Sequence, residues 1–194
     1  MTAPNLILAS NSPRRKALLE QIDLQFEIIP SSVHEDFTVD LAPVEFARHY
    51  ARLKAAEVAA SHPESMIIGA DTIVVLDGHI LGKPRDAADS FRMLRALSGR
   101  THTVITGVSL QWRERSIEDT FHVATDVTFR KIAAADIEYY IRRYQPLDKA
   151  GSYGIQDWFA TCIEKIDGCF YNVVGFPLAT FYERFRALTG DISG

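Results

Sequence analysis

Four short segments of the chain carry side chains suited to phosphate chemistry. The first is Ser10-Asn11-Ser12-Pro13-Arg14-Arg15. Ser12 is a favourable N-cap and Pro13 a favourable first helical residue, so Arg14 and Arg15 fall in the opening turn of a helix. That turn has free N–H groups and partial positive charge, and acidic side chains are preferred in it. Two arginines fit there when an anion binds, and hydroxyls, N–H groups and guanidiniums together can cradle a phosphate. The turn is not a Walker A loop, because Gly-x-x-x-x-Gly-Lys is absent. The alternative is a Ser-capped helix with two solvated arginines.

The second is Asp71, which interrupts the apolar, β-branched run over residues 66–76. A buried carboxylate is costly without a cation, a metal or strong donors. The Asp77-Gly78 pair signals a two-residue hairpin. In that register Val75 faces Ile80, Ile73 faces Gly82 and Thr72 faces Lys83. Lys83 is then next to Asp71 in the ladder but on the other face, and only a bulge or an early end of pairing joins them. The alternative is a structural Asp–Lys pair at a sheet edge. The third is Lys54, three residues after Ala51 and four before Val58, at the border of a helix's apolar side. It can snorkel to water or serve an anion. Glu35 lies in the loop His34-Glu35-Asp36. One or two carboxylates with water and phosphate oxygens are the usual way to hold Mg2+. No His-x-x-x-His pair occurs among the six histidines, so zinc finds no support. The fourth segment is Asp148-Lys149-Ala150-Gly151-Ser152-Tyr153-Gly154-Ile155-Gln156. Its glycines permit close backbone approach, and the Gln156 amide can both donate to and accept from a base edge. The alternative is a turn-rich connector.

These residues must be positioned by ordinary elements. Residues 5–9 read as a buried strand, 13–21 as a helix, 25–29 as a strand, 30–41 as a loop and 43–61 as an Ala-rich helix. Residues 66–76 and 79–82 form the Asp-Gly hairpin, and 86–97 a helix. Residues 101–112 and 118–130 suit a long hairpin, 134–144 a helix and 177–188 a last helix. Residues 146–172, rich in Gly and aromatics, resist assignment. Alternating strands and helices favour an α/β layered fold, and the hairpins argue against a purely parallel sheet.

The chain has 194 residues, 47% of them hydrophobic, and a net charge of −4. A mildly acidic surface argues against a broad nucleic-acid-binding face. Cys162 and Cys169 match no disulfide framework, redox pair or zinc knuckle. No apolar run reaches the roughly 18 residues of a membrane span, and Met1 to Asn5 lacks secretion-signal character. The cytoplasm is the expected location.

The segments Leu8-Ala9-Ser10-Asn11-Ser12-Pro13-Arg14-Arg15, Gly69-Ala70-Asp71-Thr72, Gly82-Lys83-Pro84, Leu97-Ser98-Gly99-Arg100-Thr101-His102, Asp148 to Gln156 and Gly175-Phe176-Pro177-Leu178 occur in this order over nearly the whole chain. Together they resemble the Maf family of nucleotide pyrophosphatases. Lys149 to Gln156 resembles the subgroup acting on dTTP and UTP more than the one acting on 7-methyl-GTP. The resemblance implies a single domain over residues 1–194 with a three-layer α/β/α fold, an elongated mixed β-sheet and a cleft between two lobes. It implies hydrolysis of a nucleoside triphosphate to monophosphate and pyrophosphate with a divalent cation, Mg2+ or Mn2+, and no nucleic-acid or membrane partner. A homodimer stays open. Asp71 matches the family's proposed proton acceptor. Arg14, Thr72 and Gln156 match positions tied to substrate choice, and Ser10, Arg15, Glu35, Lys54 and Lys83 match other cleft residues. Lys54 and Lys83 are expected to join Asp71 in catalysis, and Glu35 and Asp71 to hold the metal. After Gln156 the family continues with a Gly-rich stretch, whereas this chain has Asp157-Trp158-Phe159-Ala160. Trp158 could then stack on a larger base. The rival reading is a non-catalytic nucleotide-binding regulator of cell division, since the family is associated with restraint of septum formation.

Overall fold

The computed structural model describes residues 5–190; residues 1–4, on which most of the N-terminal reading rests, lie outside them. The architectural spine is β3 (Met66–Leu76), an apolar strand with burial along nearly its whole length. β1 (Leu6–Leu8), β2 (Glu27–Ile28), β4 (His79–Leu81), β5 (Thr101–Trp112), β6 (Ile117–Phe129) and β7 (Ile163–Asp167) join it in one sheet. The order is β2-β1-β3-β5-β6-β7, with β4 also on β3. β1 runs parallel to β2 and β3, and the other pairings are antiparallel. The sheet is therefore mixed and flanked by helices, as the sequence implies.

One edge of β3 is shared by two short strands. β5 occupies the other edge from Ile67 to Val75. β1 takes Met66–Ile68 and β4 takes Val74–Leu76. Between them residues 69–73 face no strand on that edge. This gap divides the molecule into two lobes, and Asp71 and Thr72 stand in it.

Strand alternation sends these two side chains to opposite faces. On one face lies α2 (Pro43–Ser61). Ile67 packs there with Ala55, Val58 and Ala59, and Ile73 with Phe46, Ala47 and Tyr50. Two glycines let the helix come close. A Cβ on Gly69 would fall 2.4 Å from the Ala51 carbonyl oxygen, and one on Gly107 would fall 2.3 Å from that of Ala47. Gly107 is the β5 residue paired with Asp71. On the other face, Met66, Ile68 and Ala70 pack with α1 (Pro13–Glu20), α5 (Phe170–Val174), α6 (Leu178–Thr189) and the turn between the last two, through Leu18, Leu19, Val174, Phe176, Phe181 and Phe185. Further along it, Val74 packs with α3 (Ala87–Leu97) and α4 (Ala134–Tyr144), through Leu94, Leu97, Ile137 and Tyr140. This is a three-layer α/β/α arrangement with one core cluster in each lobe on that face.

The expected elements appear with small boundary changes. The span left unassigned contains short 3-10 turns, β7 and the start of α5. β7 is an edge strand with a register shift against β6 at Thr128/Phe129. Its residues are exposed or half-buried, so it lacks the apolar periodicity that marks an interior strand. No helix among the described residues is long and apolar enough to cross a membrane.

Replacing Gly107 tests the close approach of α2. Its Cβ would meet backbone, which cannot rotate away as a flexible side chain can. Gly107→Ala is expected to reduce unfolding free energy by about 1–3 kcal/mol, measured by urea denaturation. An unchanged midpoint would contradict the packing described.

Candidate active site

The gap beside residues 69–73 opens into a cavity of about 510 Å3. All nine residues expected at a site line it: Ser10, Arg14, Arg15, Glu35, Lys54, Asp71, Thr72, Lys83 and Gln156. They come from six stretches of chain that sequence alone does not join.

On the α2 face the centre is Asp71, which is 4% exposed. Lys54 Nζ donates to Asp71 Oδ1 at 2.8 Å and also to Glu35 Oε1. Lys54 reaches both because α2 lies so close to Gly69 and Gly107. Burial pushes the Asp71 carboxyl above its ordinary range, against the pull of Lys54. Burial also acts upward on Glu35, but the Lys54 ammonium outweighs it and holds that carboxyl down at about 2. The pairing corrects the hairpin expectation. Val75 does face Ile80, but strand pairing ends at Val74–Leu81. Gly82 is instead packed under the Phe37 ring, and its carbonyl accepts from the Gly151 N–H at 3.1 Å. Asp71 therefore pairs with Lys54, and Lys83 projects into the cavity as an exposed cation.

The donor set suits a divalent cation. Asp71 Oδ2 is buried with no hydrogen-bond partner, and Lys54 engages Oδ1. Among the described residues no group of three or more His, Cys, Asp or Glu could hold a metal. Two carboxylates, with substrate oxygens and water completing the shell, is the arrangement Mg2+ ordinarily takes.

On the opposite face Arg15 is the hub. Its Nε donates to the Gly175 carbonyl at 3.0 Å, Nη1 to Ser10 Oγ at 3.1 Å and Nη2 to Thr72 Oγ1 at 3.0 Å. Thr72 Oγ1 is also 3.0 Å from Thr106 Oγ1, which donates to the Asn172 carbonyl at 3.3 Å. Burial draws the Arg15 pKa down, and the charge of Asp71 draws it back. The picture of two solvated arginines thus fails for Arg15, whose guanidinium joins α1, β3 and the turn after α5. Arg14 is partly exposed and donates to Asp148 Oδ2 at 3.0 Å, while Lys149 holds Asp148 Oδ1 at 2.8 Å. Ser12 caps α1 as expected, its hydroxyl accepting from the Arg15 N–H.

The loop carrying Gln156 is fixed from behind. Ser152 shares a buried hydrogen bond with Ser90, and Tyr153 Oη lies 2.8 Å from His102 Nε2. Tyr140 Oη accepts from the Gly154 N–H and donates to Asp157 Oδ2, both at 3.0 Å. Gln156 itself is exposed at the cavity wall. Trp158 does not supply a stacking surface for a base. It packs on Tyr139 and Tyr140, with centroids 5.2 and 6.2 Å apart, and does not line the cavity. Sequence reading missed the Gly175 carbonyl and Phe37. The former is backbone chemistry, invisible in residue type. The latter is an aromatic in a polar loop, 51% exposed, a signal that was present.

A profile of the family described as Maf-like protein matches residues 5–188. A dTTP/UTP pyrophosphatase from Bacillus cytotoxicus is 48% identical over 96% of this chain and 97% of its own length. One from Bacillus velezensis is 48% identical over 94% of each chain. One from Carboxydothermus hydrogenoformans is 46% identical over 93% of this chain and 97% of its own.

His102 makes the wall of this site sensitive to acid. Burial lowers its pKa to about 4, against about 6.5 when unfolded. Between those values the unfolded chain binds a proton that the folded chain refuses. The His102 contribution is therefore complete above about pH 6.5 and lost as pH falls towards 4, on the order of 2–3 kcal/mol. Denaturant titrations at pH 7 and 4.5 should show a smaller pH effect for His102→Gln than for the parent. Equal slopes would contradict this.

Proposed function

This chain belongs to the Maf family, and from that premise we propose that it hydrolyses nucleoside triphosphates, dTTP and UTP foremost, to monophosphate and pyrophosphate. The observation that carries the reading is the convergence of Arg14, Arg15, Lys54 and Lys83 with Glu35 and Asp71 on one cavity. Phosphoanhydride hydrolysis requires neutralised phosphate charge and a water held in line. Arg14 and Lys83 present cations to the phosphates from the two lobes. Arg15, through Ser10 and Thr72, fixes the strand-to-helix turn against which the phosphates lie. Lys54 holds both carboxylates in place. A divalent cation held chiefly by Glu35, with substrate oxygens and water, would neutralise further phosphate charge.

The sequence leaves Asp71 a choice between metal ligand and base. Its burial favours the base, because a carboxyl with a raised pKa accepts a proton more readily near neutral pH. Asp71 then orients the attacking water and takes its proton. The relatives named dTTP/UTP pyrophosphatase support turnover over a silent sensor of cell division. So does the buried carboxylate, since a sensor needs the cations but has no use for a base.

Gln156 is assigned to the base. Its amide can donate to a pyrimidine carbonyl and accept from the ring N3–H, and a purine is excluded by size as well as by pairing. The reading also carries a cytoplasmic location, where triphosphates are abundant.

Product analysis with UTP and dTTP is expected to yield pyrophosphate and monophosphate. Orthophosphate with a diphosphate left behind would overturn the assignment. In competition between UTP and GTP, Gln156→Ala is expected to reduce discrimination about ten- to a hundred-fold while lowering the best rate less. A parent enzyme that prefers GTP would contradict the pyrimidine assignment.

A further inference from the structure

Asp157 follows Gln156 directly, and the structure gives it a task. Asp157 Oδ1 accepts from the Phe159 N–H at 3.0 Å and caps the 3-10 turn Trp158–Cys162. Its other oxygen, Oδ2, accepts from Tyr140 Oη at 3.0 Å. The same phenol accepts from the Gly154 N–H at 3.0 Å. One hydroxyl on α4 thus ties the residue two before Gln156 to the residue just after it. The fit is close. A Cβ on Gly154 would lie 2.8 Å from Asp157 Oδ2 and 3.0 Å from Lys149 Cε.

Between the two ties, Ile155 is buried in the core cluster of β1, α1 and α6 and at the cavity wall, which anchors the loop next to Gln156. Gln156 is exposed, and among the described residues its side chain has no hydrogen bond of its own. With no bond of its own, the side chain is placed only through its backbone, and these ties fix the point from which the amide reaches the cavity. Tyr140 is fully buried and does not line the cavity. Its ring is held by Tyr144 at 5.2 Å and Phe159 at 4.7 Å.

We propose that Tyr140 and Asp157 form a clamp that aims Gln156 at the nucleobase, so that Tyr140 is a positioning residue for base choice although it touches no substrate. The clamp needs its hydroxyl proton to reach Asp157. Burial, reinforced by the charge of Asp157, raises the Tyr140 pKa and keeps that proton in place. The proposal rests on the reading of Gln156 as the residue that meets the base. It deepens that reading by naming what places the amide, and it assigns Asp157 a function beside the cavity.

The test is steady-state kinetics with UTP and GTP, run beside thermal melts, on the parent, Tyr140→Phe, Asp157→Asn, Asp157→Ala and Gln156→Ala. Tyr140→Phe keeps the packed ring and removes only the hydroxyl. It is expected to raise KM for UTP about tenfold, leave kcat within about twofold and narrow the preference for UTP over GTP by about tenfold. Asp157→Ala is expected to reproduce this pattern. Asp157→Asn keeps one oxygen to accept from the phenol but turns its NH2 on the Phe159 N–H, so it should lower the melting temperature while staying near the parent in KM and in base preference. A merely structural tyrosine would lower the melting temperature and leave KM and base preference unchanged, and that result would overturn the proposal. Flattening of base choice by Gln156→Ala but not by Tyr140→Phe would overturn the clamp alone. A parent that turns over no triphosphate would overturn the reading beneath it, and the clamp with it.

Discussion

A carboxylate in the middle of a buried strand is the constraint around which this molecule is arranged. Asp71 has apolar neighbours along β3 and a glycine opposite it on β5. Its charge is offset by Lys54, which reaches it from α2 where Gly69 and Gly107, having no side chains, let the helix backbone come close. Such pairs seldom add net stability over apolar residues of the same size. Their presence in a core that could be wholly aliphatic points to chemistry as the reason for keeping them. The unpartnered Asp71 Oδ2 fits that view, since a purely structural carboxylate would have both oxygens engaged.

Strand alternation then divides the labour. Asp71 turns to α2 and meets Lys54 and Glu35. Thr72, one residue on, turns to the other face and meets Arg15, Gly175 and Thr106. Both side chains open into the same cavity because β1 and β4 leave the intervening edge of β3 free. Two separate hydrogen-bond networks, one acidic and basic, the other a guanidinium among neutral oxygens, are thereby registered by a single peptide bond. The two lobes are joined across the gap by the Arg14–Asp148 pair. The cavity walls are thus held relative to each other by a directional bond as well as by packing.

Much of this was legible in the sequence. The Ala-rich helix over residues 43–61 and the apolar, β-branched strand over 66–76 carry strong signals, and their observed bounds agree. The cleft residues were legible as types out of place: two arginines in a first helical turn and an acid in a core strand. The partner of that acid was not. Hairpin register pointed to Lys83, whereas pairing stops two residues short of Thr72, because Gly82 is held by Phe37 and Gly151. Lys54 is seventeen residues away from Asp71, on another element, and only the depth of two glycines brings it there. Trp158 misled for a similar reason. Its type suggested stacking on a base, but the aromatic side of α4 offers it Tyr139 and Tyr140. β7 escaped notice because an edge strand with little buried surface has no face to repeat.

The central claim is that Lys54 and Asp71 act as one catalytic unit inside the core. A double-mutant cycle across them, read in UTP turnover and in unfolding free energy together, tests it most directly. Lys54→Met leaves Asp71 as an uncompensated buried charge and should cost about 3–5 kcal/mol of stability. Adding Asp71→Asn removes that charge and should restore a good part of the loss. In turnover the account predicts that Asp71→Asn alone costs nearly as much as the pair, because groups acting as a unit are not additive. Rate losses that simply multiply, with no recovery of stability in the double variant, would contradict it.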